Sequence, residues 1–243
     1  MRPRLLGRVD AQSRADWAAF EPASIPTKTQ VPQLVRWLDA HARAGLRVLD
    51  VGCGAGAVAQ LLAQRGLSTV GVDINAAALA QARPALPDAP FYERDVAAEG
   101  GFALDEAPFD LAVCQLVASV VGDAGDRQQL IHNIRRVLAP GGRLFVSFSG
   151  LSHDLNPDYA EVYARDQAET GMFGTYWSRD ANGKRLYRTH HFAEAEVCSL
   201  LANAGFTEVA VESAIEASSR RPEQKARFFY ATCVEPLQLA TRS

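Results

Sequence analysis

Short apolar runs alternate with stretches of helical periodicity along most of this chain. Residues 47–51, 69–73, 109–115 and 143–149 carry runs of apolar side chains, the pattern of strands buried on both faces, and residues 91–94 read as a further short strand. Between them, residues 57–65 have helical composition and stop at Gly66, which suits the position just past a helix end. Residues 76–83 follow Asn75, a good N-cap, and Pro84, Pro87 and Pro90 then break the chain. Residues 126–138 carry Leu130, Ile131, Ile134, Val137 and Leu138 on one face, behind a capping Asp126. Pro140-Gly141-Gly142 turns the chain into the fifth strand. Strands alternating with helices in this way predict a mostly parallel sheet with right-handed crossovers.

The rhythm fails in two places. Residues 1–45 show only a short amphipathic piece around Trp17 and Phe20. Beyond it, Lys28 and Thr29 lead into a helix that starts near Pro32 and closes at Gly45, with Leu34, Val35 and Leu38 on its apolar face. Such a leading segment either covers a ligand or packs as a surface helix on the sheet edge. The second break is residues 150–192. An insertion of that size in a compact domain is usually a lid or a substrate element. Within it residues 158–169 look helical, and Asn182-Gly183 is a hairpin signal flanked by Phe173, Tyr176, Trp177, Tyr187 and Phe192. A helix over 193–204 and strands over 207–213 and 227–234 complete the chain.

Composition narrows the class. At 243 residues the simplest organisation is one domain with a sizeable core. A net charge of −3 without a basic stripe argues against nucleic acid as a partner. No apolar run is long enough to span a membrane, and Arg2, Arg4 and Arg8 are not followed by the apolar stretch of a signal peptide, so the cytoplasm is the expected compartment. Cys53, Cys114, Cys198 and Cys233 lack metal or redox spacing, and no metal site is expected. The last three fall in segments that read as buried. Cys53 reads as a small residue that fits the glycine loop.

The chemistry is concentrated between Arg47 and Asp73. Gly52, Gly54 and Gly56 follow the first strand at every second position, and glycine there permits a tight turn and a close ligand approach. The loop satisfies the dinucleotide fingerprint, and Asp73 could hold the ribose of either NAD or S-adenosylmethionine. Asp50, two positions before Gly52, separates the two. A carboxylate there would repel a pyrophosphate at the helix N-terminus, but suits a ligand carrying an ammonium and a sulfonium.

Five segments then match a known family in order: VLDVGCGAG at 48–56, GVDIN at 71–75, ERDVA at 93–97, FDLAVCQ at 109–115 and RRVLAPGGRLFVSF at 135–148. Together they resemble the class I S-adenosylmethionine-dependent methyltransferases. The resemblance implies a Rossmann-like three-layer α/β sandwich. Its seven-stranded sheet would have the order 3-2-1-4-5-7-6, with strand 7 antiparallel and a lid inserted after strand 5. It further implies that Gly52 and Gly54 back the cofactor with Cys53 between them, and that Asp73 accepts from the ribose hydroxyls. Ile74 and Val96 would flank the adenine, Asp95 would read its amino group, and Gln115 would line the methionine end; Asp50 belongs to the same motif. Methyltransferases of adenine, cytosine or glutamine amides show Asn/Asp-Pro-Pro-aromatic after the fourth strand. Here Cys114-Gln115-Leu116-Val117 stands instead, which leaves small molecules such as natural products and quinones. The alternatives are a methyltransferase-like module that binds the cofactor without catalysis, and an NAD-dependent oxidoreductase. The chain would act as a monomer or homodimer.

A two-residue Asn182-Gly183 turn would set Asp180 opposite Arg185, Trp177 opposite Arg188, Thr175 opposite His190 and Phe173 opposite Phe192. Tyr176, Tyr187 and His191 then share the other face. Phe192 leads into the next helix and should be anchored inward, so its face is expected to meet the substrate through Trp177, Arg188 and His190. A general base is needed only for a protonated nucleophile, and His190 is the expected one. Otherwise the hairpin would be a dimerisation ribbon.

Overall fold

The computed structural model describes residues 7–24, 31–180, 182–218 and 223–237. Arg2, Arg4, Pro26, Lys28 and Thr29 lie outside them, as does part of the hairpin tip. Nine strands and eight α-helices are found among the described residues. The five strands expected first are β1 (Arg47–Val51), β2 (Ser68–Asp73), β3 (Phe91–Glu93), β4 (Phe109–Gln115) and β5 (Leu138–Ser149). The inserted hairpin is β6 (Thr175–Arg179) and β7 (Arg185–His190), and the last pair is β8 (Thr207–Ala217) and β9 (Lys225–Val234). The main sheet runs β3-β2-β1-β4-β5-β9-β8, with β9 antiparallel to both neighbours. With the two hairpin strands set aside, this is the order 3-2-1-4-5-7-6.

Alternation along the central strands serves two cores. Val48, Leu111, Val113 and Phe145 face one side, where α2 (Pro32–His41) and α3 (Ala57–Ala63) supply Leu34, Leu38, Val58 and Leu62. Leu49, Val51, Ala112, Cys114 and Val146 face the other, against Leu130, Ile131 and Ile134 of α6 (Ala124–Val137) and Val197 and Leu201 of α8 (Glu194–Asn203). Runs without polar alternation are therefore what a doubly covered sheet demands.

Local details depart from expectation. α4 (Ala76–Ala85) runs through Pro84, and the side chain of Asn75 caps it by accepting from Ala78 N. α6 is capped by Asp123, which accepts from Gly125 N, so Asp126 is released for another role. Cys198 is exposed, because its position falls on the outer face of α8. Two helices were not anticipated as such: α1 (Gly7–Ala18) and the single turn α5 (Val117–Val120). Between β5 and α8 the insertion comprises α7 (Pro157–Thr170) and the hairpin, which forms its own two-stranded sheet.

Candidate active site

The loop after β1 is held from three directions. The amides of Gly52 and Cys53 both donate to Val72 O on β2, at 2.8 and 3.0 Å. Asp73, at the end of β2, accepts from Gly54 N at 2.8 Å and from Asn75 N at 2.9 Å. Gly52, Gly54 and Gly56 all have positive φ. At Gly52 a Cβ would also lie 2.2 Å from the Val117 side chain, so glycine is required there for conformation and for space.

These residues open onto one cavity of about 240 Å³. All nine positions assigned to a cofactor from the sequence lie on its wall: Asp50, Gly52, Cys53, Gly54, Asp73, Ile74, Asp95, Val96 and Gln115. Asp50 is only 3% exposed, and its Oδ2 has no hydrogen-bond partner among the described residues. Burial, and then the nearby Asp73, push its carboxyl up to about 8. Burial also raises Asp73, against the backbone amides of Asn75, Gly54 and Ile74, which favour its ionised form. Burial and the two acids keep the Cys53 thiol protonated.

Sequence reasoning missed how α1 closes this cavity. Arg14 pairs with Asp95 at 3.1 Å and with Asp126 at 2.8 Å. The Asn75 amide donates to the carbonyls of Trp17 and Phe20, at 3.0 and 2.8 Å. Trp17 packs on Tyr187 of the hairpin with centroids 4.5 Å apart. Ser13, Arg14 and Trp17 thus join the cavity wall. The spacing of Arg14 and Trp17 on one helical face was the available signal.

The hairpin keeps the expected pairing in its stem, with Thr175 opposite His190 and Trp177 opposite Arg188. Near the tip the register shifts and Arg179 pairs with Arg185. Asp180 instead accepts from the amides of Asn182 and Lys184, so the turn is wider than two residues. The face turned to the cavity is the opposite of the one expected. Tyr176, Ser178, Tyr187, Thr189 and His191 line it, whereas Trp177, Arg188 and His190 do not. The physical reason is that the ribbon is covered on both sides. Phe192 is anchored, as expected, against Phe148 in the core. Its face, however, packs on the protein body. His190 is 1% exposed, bonded to Thr175 Oγ1 at 2.7 Å and to Glu196 at 2.9 Å. Arg188 lies so close behind Gly122 that a Cβ there would be 2.5 Å from its Nη2. An anchored face is therefore not the face over the cavity.

His191 is held between two hydroxyls, Tyr163 at 2.6 Å from Nδ1 and Tyr176 at 3.2 Å from Nε2. Burial, and then His190, bring its pKa down to about 3. His190 is also lowered, chiefly by burial and despite Glu196.

Comparison with known proteins agrees with this geometry. A family model described as a methyltransferase domain matches residues 49–146. Residues 49–146 are a methyltransferase domain. The surrounding fold is that of the class I S-adenosylmethionine-dependent methyltransferases. A methyltransferase of this kind from Methanosarcina mazei superposes with a TM-score of 0.75 at 26% identity, over 83% of this chain and 98% of that one. The 1,6-didemethyltoxoflavin-N1-methyltransferase of Burkholderia thailandensis, solved with S-adenosylhomocysteine, gives a TM-score of 0.64 at 20% identity over 97% and 93% of the two chains, a likeness of fold. Among curated proteins, the ubiquinone biosynthesis O-methyltransferase of Stutzerimonas stutzeri is 33% identical over 119 residues, 48% of this chain and 50% of that one. That of Azoarcus is 33% identical over 138 residues, 53% and 56%. The chain therefore spans about half the length of these curated relatives. Among the described residues, no helix is long and apolar enough to cross a membrane.

Proposed function

We propose that this chain transfers a methyl group from S-adenosylmethionine to an oxygen, nitrogen or carbon nucleophile of a small molecule. The observation that carries the reading is the continuity of one cavity from the glycine loop to the hairpin face. Its first half fits the cofactor. Asp50 brings a buried, unpartnered carboxyl oxygen to where an ammonium and a sulfonium would be welcome. Asp73, already bonded to Gly54 N and Asn75 N, retains lone pairs for two ribose hydroxyls. Ile74, Val96 and Asp95 would take the adenine, and Gln115 the methionine end. When bound, the cofactor supplies an already activated methyl group, so much of the protein's work is positioning. The insertion acts as the lid over the acceptor, and α1 as a cover over the cofactor.

Calorimetric titration tests the reading. S-adenosylhomocysteine is expected to bind saturably and NAD negligibly; tighter binding of NAD would overturn it. Asp73→Ala should weaken S-adenosylhomocysteine about tenfold to a hundredfold, the worth of a carboxylate accepting from neutral hydroxyls. It should also lower the melting temperature, because two loop amides lose their acceptor. Unchanged affinity in that variant would misplace the ribose.

A further inference from the structure

Helix α5 joins two ends of the cavity wall. At its start the Val117 side chain lies against Gly52 of the glycine loop, and just past its end Gly122 lies against Arg188 of the hairpin. Gly122 is on the wall, and Arg188 stands directly behind it. A Cβ at residue 122 would be 2.5 Å from Arg188 Nη2 and 2.8 Å from its Nε. Glycine therefore keeps the guanidinium next to the cavity, with no side chain between the two.

Arg188 is a buried charge without a countercharge. It is only 6% exposed, and its Nε and Nη2 are both buried with no hydrogen-bond partner among the described residues. Arg14, Arg179 and Arg227 each pair with an acid, but no described acid is paired with Arg188. The carbonyls of Val121 and Gly122 are taken by Arg127 Nη1, at 3.1 and 3.3 Å. The Trp177 ring, 5.9 Å from Arg188 Cζ, faces the cation but cannot balance its charge. The acids of the wall lie elsewhere: Asp50 and Asp73 at the glycine loop, and Asp95 and Asp126 on Arg14. A buried cation in this condition costs the fold stability and asks for an explanation. A negatively charged ligand against Gly122 would meet the cost.

We propose that the methyl acceptor carries a carboxylate, seated at the Gly122 end of the cavity, with Arg188 as its counter-ion from behind the wall. One guanidinium balances one negative charge, whereas a phosphate dianion would keep one unmet. Tyr176 and Tyr187, on the hairpin side of the cavity, offer the rest of such a molecule an aromatic surface. The proposal rests on the methyltransferase reading for what becomes of the ligand, but the charge preference can be measured apart from it. Arg188 sets specificity without lining the cavity. Charges about 6–7 Å apart across a buried wall should shift affinity about tenfold to a hundredfold.

The test is calorimetric binding of 2-naphthoate and its neutral match 2-naphthamide to the full chain saturated with S-adenosylhomocysteine. 2-Naphthoate is expected to bind at least about tenfold tighter than the amide. Arg188→Met and Arg188→Gln, one apolar and one polar, should both erase that preference while leaving affinity for the amide and for S-adenosylhomocysteine within about twofold. Removal of an unpaired buried charge should leave the melting temperature of the free chain unchanged or higher. Equal or weaker binding of 2-naphthoate by the parent would overturn the proposal. So would a preference that survives in both variants with a lowered melting temperature, since the guanidinium would then be a packing element. A loss of S-adenosylhomocysteine affinity in the variants would assign Arg188 to the cofactor's own carboxylate and overturn it as well. If S-adenosylhomocysteine fails to bind the parent while 2-naphthoate is still preferred and Arg188 still governs the preference, the methyltransferase reading falls and the anion site stands.

Discussion

Asp50→Asn is expected to make the free protein more stable and its cofactor complex weaker. In the folded chain the carboxyl titrates near about 8, against 3.8 for an unperturbed aspartate. Between these values the folded state holds a proton that the unfolded state has lost, so stability falls as pH rises across that window. Asparagine has no such proton to lose. The variant's advantage should be near zero at pH 4, grow with pH, and level off above about pH 8. At pH 7 it should reach roughly 1–3 kcal/mol after the cost of burying the amide, a melting-temperature rise of about 2–10 °C. The groups facing Asp50 are Asp73, Cys53 and Cys114, none of them cationic. A bound sulfonium and ammonium would supply the missing countercharge, so the parent should release up to one proton on binding below pH 8, and its affinity should rise with pH. The variant should release none and bind S-adenosylmethionine about tenfold to a hundredfold more weakly. Thermal melts across pH, and calorimetry in buffers of differing ionisation enthalpy, measure both. An affinity independent of pH from 6 to 8.5 in the parent would contradict this account.

Asp166→Ala is expected to loosen the hairpin while sparing the sheet. Asp166 on α7 is 3% exposed and accepts from Arg165, from Arg179 and from the backbone amide of Trp177. Burial alone would raise its carboxyl, but the hydrogen bonds from Arg179 and Arg165 outweigh burial and hold it well below the usual carboxylate range. Alanine leaves the Trp177 amide and Arg179 without this acceptor. The loss should be about 2–4 kcal/mol, less than for a fully buried pair because Arg165 and Arg179 reach solvent. The hairpin is a separate two-stranded sheet, and such a unit is marginal without packing. The cost should therefore appear as local opening. Hydrogen exchange of residues 175–190 is expected to accelerate, with β1, β4 and β5 still protected. Acceleration spread evenly over the main sheet would show that Asp166 supports the whole fold.

The sheet was legible because it is governed by local signals. Buried strands such as β1 and β4 announce themselves as branched apolar runs, and their ends fall where the pattern changes. The glycine loop and Asp73 were legible for the same reason, since conformation restricts those positions to few residue types. Pro84 misled because a proline in the last turn of a helix disturbs few hydrogen bonds. Asp126 misled because Asp123 is an equally good cap three residues earlier. α1 has few large apolar residues on any face, and its anchors, Asp95, Asp126 and Asn75, lie far along the chain. The hairpin's period of two correctly divided its side chains into Tyr176 with His191 and Trp177 with Arg188. Which set met the cavity depended on where α5 and α6 packed, and no strand pattern carries that information.

Trp17 touches the hairpin at Tyr187, and Phe20 meets the same ring at 5.3 Å. One aromatic cluster therefore fastens the cover of the cofactor half to the roof of the acceptor half. Parting that shared clasp would widen both halves at once. On the proposed reading, traffic through the two halves is thereby linked: parting the clasp would open the way for the spent cofactor and the methylated product together. Loosening of that ring stack, some distance from the reacting atoms, is then a step that product departure would share with cofactor exchange.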